Sequence, residues 1–378
     1  MSAVVFFDHA AGSPLRSEVA LAMDEAVRDL PPNPSGAHRL ARATRAVLDE
    51  ARERIAASVG VPASGVVLSA SGTEANNLGI LGCPSPRAVC ISTIEHVAVR
   101  EAATLVARRA GVELIELRVD DQGVLDLDAA IESIPDGALV AVMAANSETG
   151  AIQPLAALSG LLRDQRTSTN LHSDAVAAAP AGTLAAAVAA AGTTAIAAQK
   201  LGGPAGVAAL FVADGQRLDA QLLGGGQELG RRSGTENVRG AVGLAAALSA
   251  VDDELRSGAI ASLLVRRDSL ERCIIDELDG IRIVSKATSR LPGHSLLLVE
   301  GCRSEELLIL LDQAGICASA GSACASGAPQ ASRVLLAMGI DEMSARSALR
   351  LSLSTSSSDN DVDRCLSALC DAVRRLRA

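Results

Sequence analysis

"GVVLSASGTEANN", residues 65–77, is the stretch whose reading decides the fold. Val66, Val67 and Leu68 in a row suit a strand buried on both faces, and the Ser-Ala-Ser-Gly-Thr-Glu that follows has the small, hydroxyl-bearing chemistry of a helix start. An apolar run that turns at once into a capped helix is the repeating unit of a sheet covered by helices on both faces. The unit recurs: "RAVCIST" (87–93), "ALVAVMAAN" (138–146) and "VAALFVA" (207–213) alternate with helical stretches. Polar clusters close several of them, "STIEHVAV" (92–99), "ANSETG" (145–150) and "HSDAV" (172–176). The reading is an α/β protein with a mostly parallel sheet, whose ligands bind at the carboxyl ends of the strands, where these clusters fall.

On the amino-terminal side, residues 40–59 place Leu40, Ala43, Val47, Leu48, Ala51, Ile55 and Val59 on one face of an amphipathic helix. On the carboxyl-terminal side the texture changes near residue 251. One long charged helix, 251–278, leads into short strands, a helix, a further strand and a terminal helix, the pattern of a smaller α+β domain. The expected division is a large domain over 15–250 and a small one formed by 1–14 with 251–378. A chain of 378 residues is long enough to need two cores.

With 49% hydrophobic and 21% charged residues and a mean hydropathy of +0.29, this is a folded chain. There is no Trp or Tyr and only three Phe, so the core is aliphatic and the stacking platforms of single-strand binders are missing. A net charge of -10 argues further against a nucleic-acid partner. The start lacks a basic segment before its short apolar run, and the Ala-rich stretch near 184–198 is too weak for a membrane span; both point to the cytoplasm. The eight Cys lack paired spacing and neighbouring His, so neither a disulfide framework nor a metal site is expected.

The chain has two lysines. Lys286 reads as a solvated charge, whereas Lys200, after an apolar run and before Gly-Gly-Pro, enters a tight turn where burial favours the neutral amine that carbonyl chemistry needs. The amides at Gly72 and Thr73 suit an anion at a helix start, although Ser71 to Glu74 also reads as an ordinary capping box. Asp174 ends a strand, where a carboxylate needs a cation such as a pyridinium nitrogen. His96 is either a cap or a partner for a flat ring. Arg350, between Leu349 and Leu351, either snorkels at an edge or grips a ligand carboxylate. Cys324, in "SAGSACASGAPQAS" (319–332), is either a buried thiol in a turn or a nucleophile on a loop. Taken together these are the groups that pyridoxal 5'-phosphate requires of a protein.

At this point the chain resembles the NifS/IscS-type cysteine desulfurases, pyridoxal-phosphate enzymes of the class-V aminotransferase group. "FFDHAAGSP" (6–14), "NPSGAH" (33–38), "SGTEANN" (71–77), "EHVAV" (95–99), "NSETG" (146–150), "HSDAV" (172–176), "GGGQELGRRSGTENV" (224–238) and "GSACAS" (321–326) follow in family order. The segment after Cys324 resembles the long-loop branch. The resemblance implies fold type I, with a seven-stranded-type sheet in the large domain, and assigns roles. Lys200 would hold the cofactor, Asp174 its ring nitrogen, His96 its ring face, and Gly72 with Thr73 its phosphate, with Gln199 nearby. Thr235 would reach the phosphate in the neighbouring subunit, which implies a homodimer with shared active sites. Arg350, Asn146 and Ser147 would bind L-cysteine. Cys324 would take the sulfur as a persulfide, leaving alanine, and pass it to a sulfur-acceptor protein, with iron-sulfur assembly among the routes served. Ser147, Ala177, Ala197 and Gln199 depart from the family pattern, which puts phosphate and substrate contacts at stake. A lyase that releases sulfur without a persulfide, and a non-catalytic scaffold, are the alternatives.

Overall fold

The structure is a computed structural model and describes residues 4–166, 168–321 and 331–378. Its strands are β1 (Val5–Phe6), β2 (Val66–Ser69), β3 (Val89–Ser92), β4 (Leu114–Leu117), β5 (Leu139–Ala141), β6 (Asn170–Asp174), β7 (Thr193–Ala197), β8 (Ala208–Val212), β9 (Ile281–Ile283), β10 (His294–Val299), β11 (Ile316–Cys317) and β12 (Ala348–Ser352). Seven of them form the main sheet in the order β2-β8-β7-β6-β5-β3-β4. It is parallel from β7 through β4, and only β8 runs antiparallel to both its neighbours. The expected α/β class with a mostly parallel sheet is what the chain adopts.

Alternation along the strands shows why near-continuous apolar runs are needed. Cys90 and Val140 pack with Leu48 and Ile55 on one face, whereas Val89, Ile91 and Leu139 pack with Ile80 and Val99 on the other. A strand buried on both sides cannot spare every second residue for solvent. Burying each such aliphatic side chain contributes about 1.5–3 kcal/mol.

β9, β10 and β12 form a separate antiparallel sheet. Its Leu297, Val299, Leu349 and Leu351 pack with Phe7, Leu270 and Leu369. From the opposite face Leu296 and Leu298 pack with Ile94 and Met143, each two residues beyond the end of β3 and β5, so a continuous apolar seam joins the two sheets. Among the described residues no helix is long and apolar enough to cross a membrane.

Two sequence expectations need correction. The helix Arg39–Ala57 buries Ala41, Thr44, Leu48, Ala51 and Ile55, while Leu40 is 46% exposed. The expected stripe holds at Leu48, Ala51, Ile55 and Val59 and shifts by one residue only in the first turns, where Ala41 and Thr44 are buried in place of Leu40 and Ala43, with Thr44 inside because its hydroxyl donates to the carbonyls of Pro31 and Leu40. The long helix expected over 251–278 is two helices, Val238–Arg256 and Ala259–Glu277. Gly258, at φ +78°, breaks it in a conformation that residues with a Cβ rarely adopt.

Candidate active site

The carboxyl ends of β6 and β7 carry the centre of the site. Asp174 is the last residue of β6 and pairs in register with Ala195 of β7, and the short turn Ala198–Lys200 follows directly from β7. Asp174 is 7% exposed. One of its oxygens accepts from the Val176 N–H at 2.9 Å and the other from Asn76 Nδ2 at 2.7 Å. Burial pushes its carboxyl above the usual range; those two hydrogen bonds and the positive charges of His96 and Lys200 pull the other way. Two neutral donors leave a buried negative charge incompletely compensated, and a protonated ring nitrogen is a cation of suitable size.

Lys200 donates to the carbonyls of Ala10 and Ala11, the latter at 2.7 Å, so its amine faces the amino-terminal segment. Ser13 N–H in turn donates to the Gln199 carbonyl at 2.9 Å, which makes Gln199 a backbone anchor for that segment. A cleft bounded by His9, Ser13, Ala177, Lys200, His294 and Thr355 opens there, drawing on both sheets. Burial lowers His9 to about 4 and His294 to about 3, so both are neutral imidazoles.

The helix Gly72–Leu81 starts against the same strand ends. Ser71 Oγ accepts from the Glu74 N–H at 3.1 Å, so Ser71 is the helix cap, but the Glu74 carboxylate accepts from the Ala70 N–H at 2.8 Å and not from Ser71, so the box is not the reciprocal one expected. A Cβ on Gly72 would lie 2.9 Å from Val176 Cγ2 and 3.3 Å from Ala197 Cβ. Only glycine lets this helix end come so close to the Asp174 turn, and the exposed Thr73 follows it. His96 caps the helix Val97–Ala110, with Nδ1 accepting from the Ala98 N–H at 3.1 Å, and is close enough to act electrostatically on both Asp174 and Glu148.

Arg350, in the middle strand position of β12, is 3% exposed. It does not snorkel. Nη2 meets Asp8 Oδ1 at 2.8 Å, Nη1 donates to the carbonyls of Ser147 and Gly321 at 3.1 and 3.3 Å, and Nε has no hydrogen-bond partner among the described residues. Asn146 is 1% exposed and its amide is spent locally: Oδ1 accepts from the Glu148 and Thr149 N–H groups at 2.9 and 3.0 Å, and Nδ2 donates to the Ile94 carbonyl at 3.3 Å. Asn146 therefore shapes the turn that presents Ser147 to Arg350. Thr235 is exposed, on the segment that Arg232 ties to Glu74 at 2.6 Å, with Leu223 and Leu229 standing 82% and 72% exposed nearby in sequence. Cys324 lies outside the described residues. Ser332, just beyond that segment, donates to Glu148 Oε2 at 2.5 Å.

Sequence reasoning passed over Asp8, Asn76, Glu95, Glu148 and His172. Glu95 is buried and Glu148 half-buried; desolvation pushes both carboxyls up, and Glu95 Oε2 has no partner among the described residues. All five stand inside the quoted motifs, which was the one signal that could have found them; as isolated polar residues they look generic.

A lysine amine, a buried carboxylate and a glycine-opened helix end, converging at the carboxyl ends of a mostly parallel sheet, define a pyridoxal-phosphate-dependent enzyme of fold type I. The family model described as aminotransferase class-V matches residues 5–365. An IscS-like cysteine desulfurase of Mycobacterium tuberculosis is 37% identical, over 99% of this chain and 97% of that one, and a cysteine desulfurase of Cereibacter sphaeroides is 35% identical over 99% and 97%. A solved NifS-like protein superposes with a TM-score of 0.91 at 28% identity, covering 98% of this chain and all of that one. The chain belongs to the class-V aminotransferase family, within its NifS/IscS-like group.

Proposed function

We propose that this protein is a pyridoxal-phosphate-dependent cysteine desulfurase that converts L-cysteine to L-alanine and carries the sulfur away on Cys324. The observation that carries the reading is Asp174, a buried carboxylate held by Val176 and Asn76 at the end of β6, beside the end of β7 that leads into Lys200. Bound there, the cofactor supplies an electron sink for the carbon whose proton is removed. Asp174 would hold the ring nitrogen, His96 the ring face, and Gly72 and Thr73 the phosphate, with Gln199 at the turn before Lys200. The Lys200 amine would take the proton from the substrate's Cα. Arg350 is the anchor for the substrate carboxylate, and Ser147 and Asn146 set its position.

At the sulfur, the thiolate of Cys324 attacks the substrate thiol sulfur as the carbon-sulfur bond breaks. The enzyme gains a persulfide, the carbon keeps the electron pair and takes a proton, and alanine leaves, so atoms and electrons balance. A sulfur-acceptor protein would then receive the outer sulfur, with iron-sulfur assembly one such route.

Exposed Leu223 and Leu229 beside exposed Thr235 support a homodimer in which Thr235 completes the partner's phosphate site. Clusters centred on the seven-stranded sheet and on the β9, β10 and β12 sheet support two domains, 15–250 and 1–14 with 251–378, which meet across the seam of Ile94 and Met143 with Leu296 and Leu298. We assign the enzyme to the cytoplasm, where buried free thiols such as Cys90 and Cys365 stay reduced.

The test is Cys324→Ser. The variant should keep the bound cofactor's absorbance and lose the protein-bound persulfide; undiminished sulfur release would instead identify a lyase that needs no enzyme thiol.

A further inference from the structure

Behind Asp174 stand three polar side chains, Asn76, which bonds to it, and His172 and Thr193, to which nothing above gives a task. Asn76, His172 and Thr193 are 1%, 0% and 4% exposed. His172 and Thr193 are direct neighbours in register on β6 and β7, and Thr193 Oγ1 lies 2.9 Å from His172 Nδ1. The other ring nitrogen, Nε2, lies 2.9 Å from Asn76 Oδ1, and Asn76 Nδ2 reaches Asp174 Oδ2 at 2.7 Å. The space is built for the imidazole: a Cβ on Gly79 would lie 2.6 Å from His172 Nδ1.

The directions of these bonds follow from one end. An ionised carboxylate only accepts, so Asn76 must turn its NH₂ toward Asp174 and its carbonyl toward His172. That carbonyl only accepts, so His172 carries its proton on Nε2. Nδ1 is then an acceptor, and Thr193 donates to it. Burial holds His172 far below its ordinary range, at about 3, which keeps the ring neutral and able to do both.

We propose that Thr193, His172 and Asn76 form a one-way hydrogen-bond chain whose task is to hold Asp174 as an ionised acceptor aimed at the cofactor's ring nitrogen. They are positioning residues: none touches substrate, and each acts through the next. The proposal rests on the reading of Asp174 as the ring-nitrogen partner. Its first link is nevertheless a property of the protein alone, because the His172 tautomer follows from an ionised Asp174 whether or not a cofactor ring lies against that carboxylate.

Two measurements test it. In protein labelled with ¹⁵N at histidine and held at pH 8, His172, assigned by its loss in His172→Phe, should show a protonated Nε2 and an unprotonated Nδ1; a proton on Nδ1 overturns the chain. Equilibrium dialysis with pyridoxal phosphate should then show affinity falling at least about tenfold in His172→Phe and in Thr193→Val, the scale of losing support for a charged acceptor. Thr193→Ser, which restores the hydroxyl, should return it to within about twofold of the parent. If Val and Ser at 193 bind the cofactor equally at matched melting temperature, the coupling to Asp174 is refuted. Should the parent protein bind no cofactor at all, the functional reading fails, while the tautomer still decides the chain.

Discussion

Replacing Asp174 by Asn is the most informative single change to the cofactor site. The side chain keeps its shape and loses its charge. Both its oxygens now accept, one from the Val176 N–H and one from Asn76 Nδ2. An amide has one oxygen and one NH₂, so one of those two donors is left facing another donor, and the ring nitrogen loses its anionic partner. Each hydrogen bond involving a charged group is worth about 1.5–3 kcal/mol, so loss of the ring contact alone weakens cofactor binding by about 10- to 150-fold. Because the chain lacks Trp and Tyr, bound cofactor is read directly from the near-ultraviolet and visible absorbance against an almost transparent protein. Apparent Kd from that titration should rise by at least tenfold in Asp174→Asn, measured at a temperature where the cofactor-free variant is still folded. A Kd within about twofold of the parent would refute the assignment of Asp174.

Further outcomes follow from other parts of the molecule. Borohydride reduction of cofactor-loaded protein should place the cofactor's mass on the peptide that contains Lys200; finding it on Lys286, which is exposed, would contradict the site. Arg350→Lys loses the planar fork and should lower kcat/KM for L-cysteine by about 10²-fold, chiefly through KM, an amount steady-state assays resolve easily. Arg290 and Glu271 are both about 4% exposed and joined by two bonds of 2.7 and 2.9 Å, so Glu271→Gln leaves a buried uncompensated guanidinium. Denaturant unfolding should show a loss of about 3–5 kcal/mol. Burial holds His294 at about 3, below its unfolded value, so the unfolded state binds the extra proton first and stability is lost as pH falls below about 6.5. His294→Phe removes that liability. Between pH 6 and 4 the parent should lose about 1.4 kcal/mol per pH unit more than the variant, whatever the buried carboxyls contribute to both.

How much of this the sequence discloses depends on whether a residue's role is local. The strands at 66–69, 89–92, 139–141 and 208–212 were legible because a strand covered on both faces must be apolar throughout, and Lys200 stood out because lysine is so rare in the chain. The break at Gly258 was missed because charged residues on either side keep the helical period while a single left-handed glycine ends it. Arg350 was legible as a candidate, but not its contact with Asp8, which lies 342 residues away in sequence. The chain from Thr193 to Asp174 was hidden for the same reason: it joins two neighbouring strands and a helix, and each of its members alone reads as an ordinary buried polar residue. Asn146 was legible as a candidate beside the substrate, but not the use of its amide, whose oxygen accepts from its own turn and whose nitrogen donates to the Ile94 carbonyl.

The central claim is tested most directly by giving the cofactor-loaded protein L-cysteine labelled with ³⁵S, under non-reducing conditions, and measuring alanine and protein-bound label together. The account predicts alanine and protein-bound sulfur in equal amounts in the first turnover, with the label on the peptide that contains Cys324 and released by a thiol reductant. No alanine, or alanine formed at the parent rate in Cys324→Ser, would contradict it.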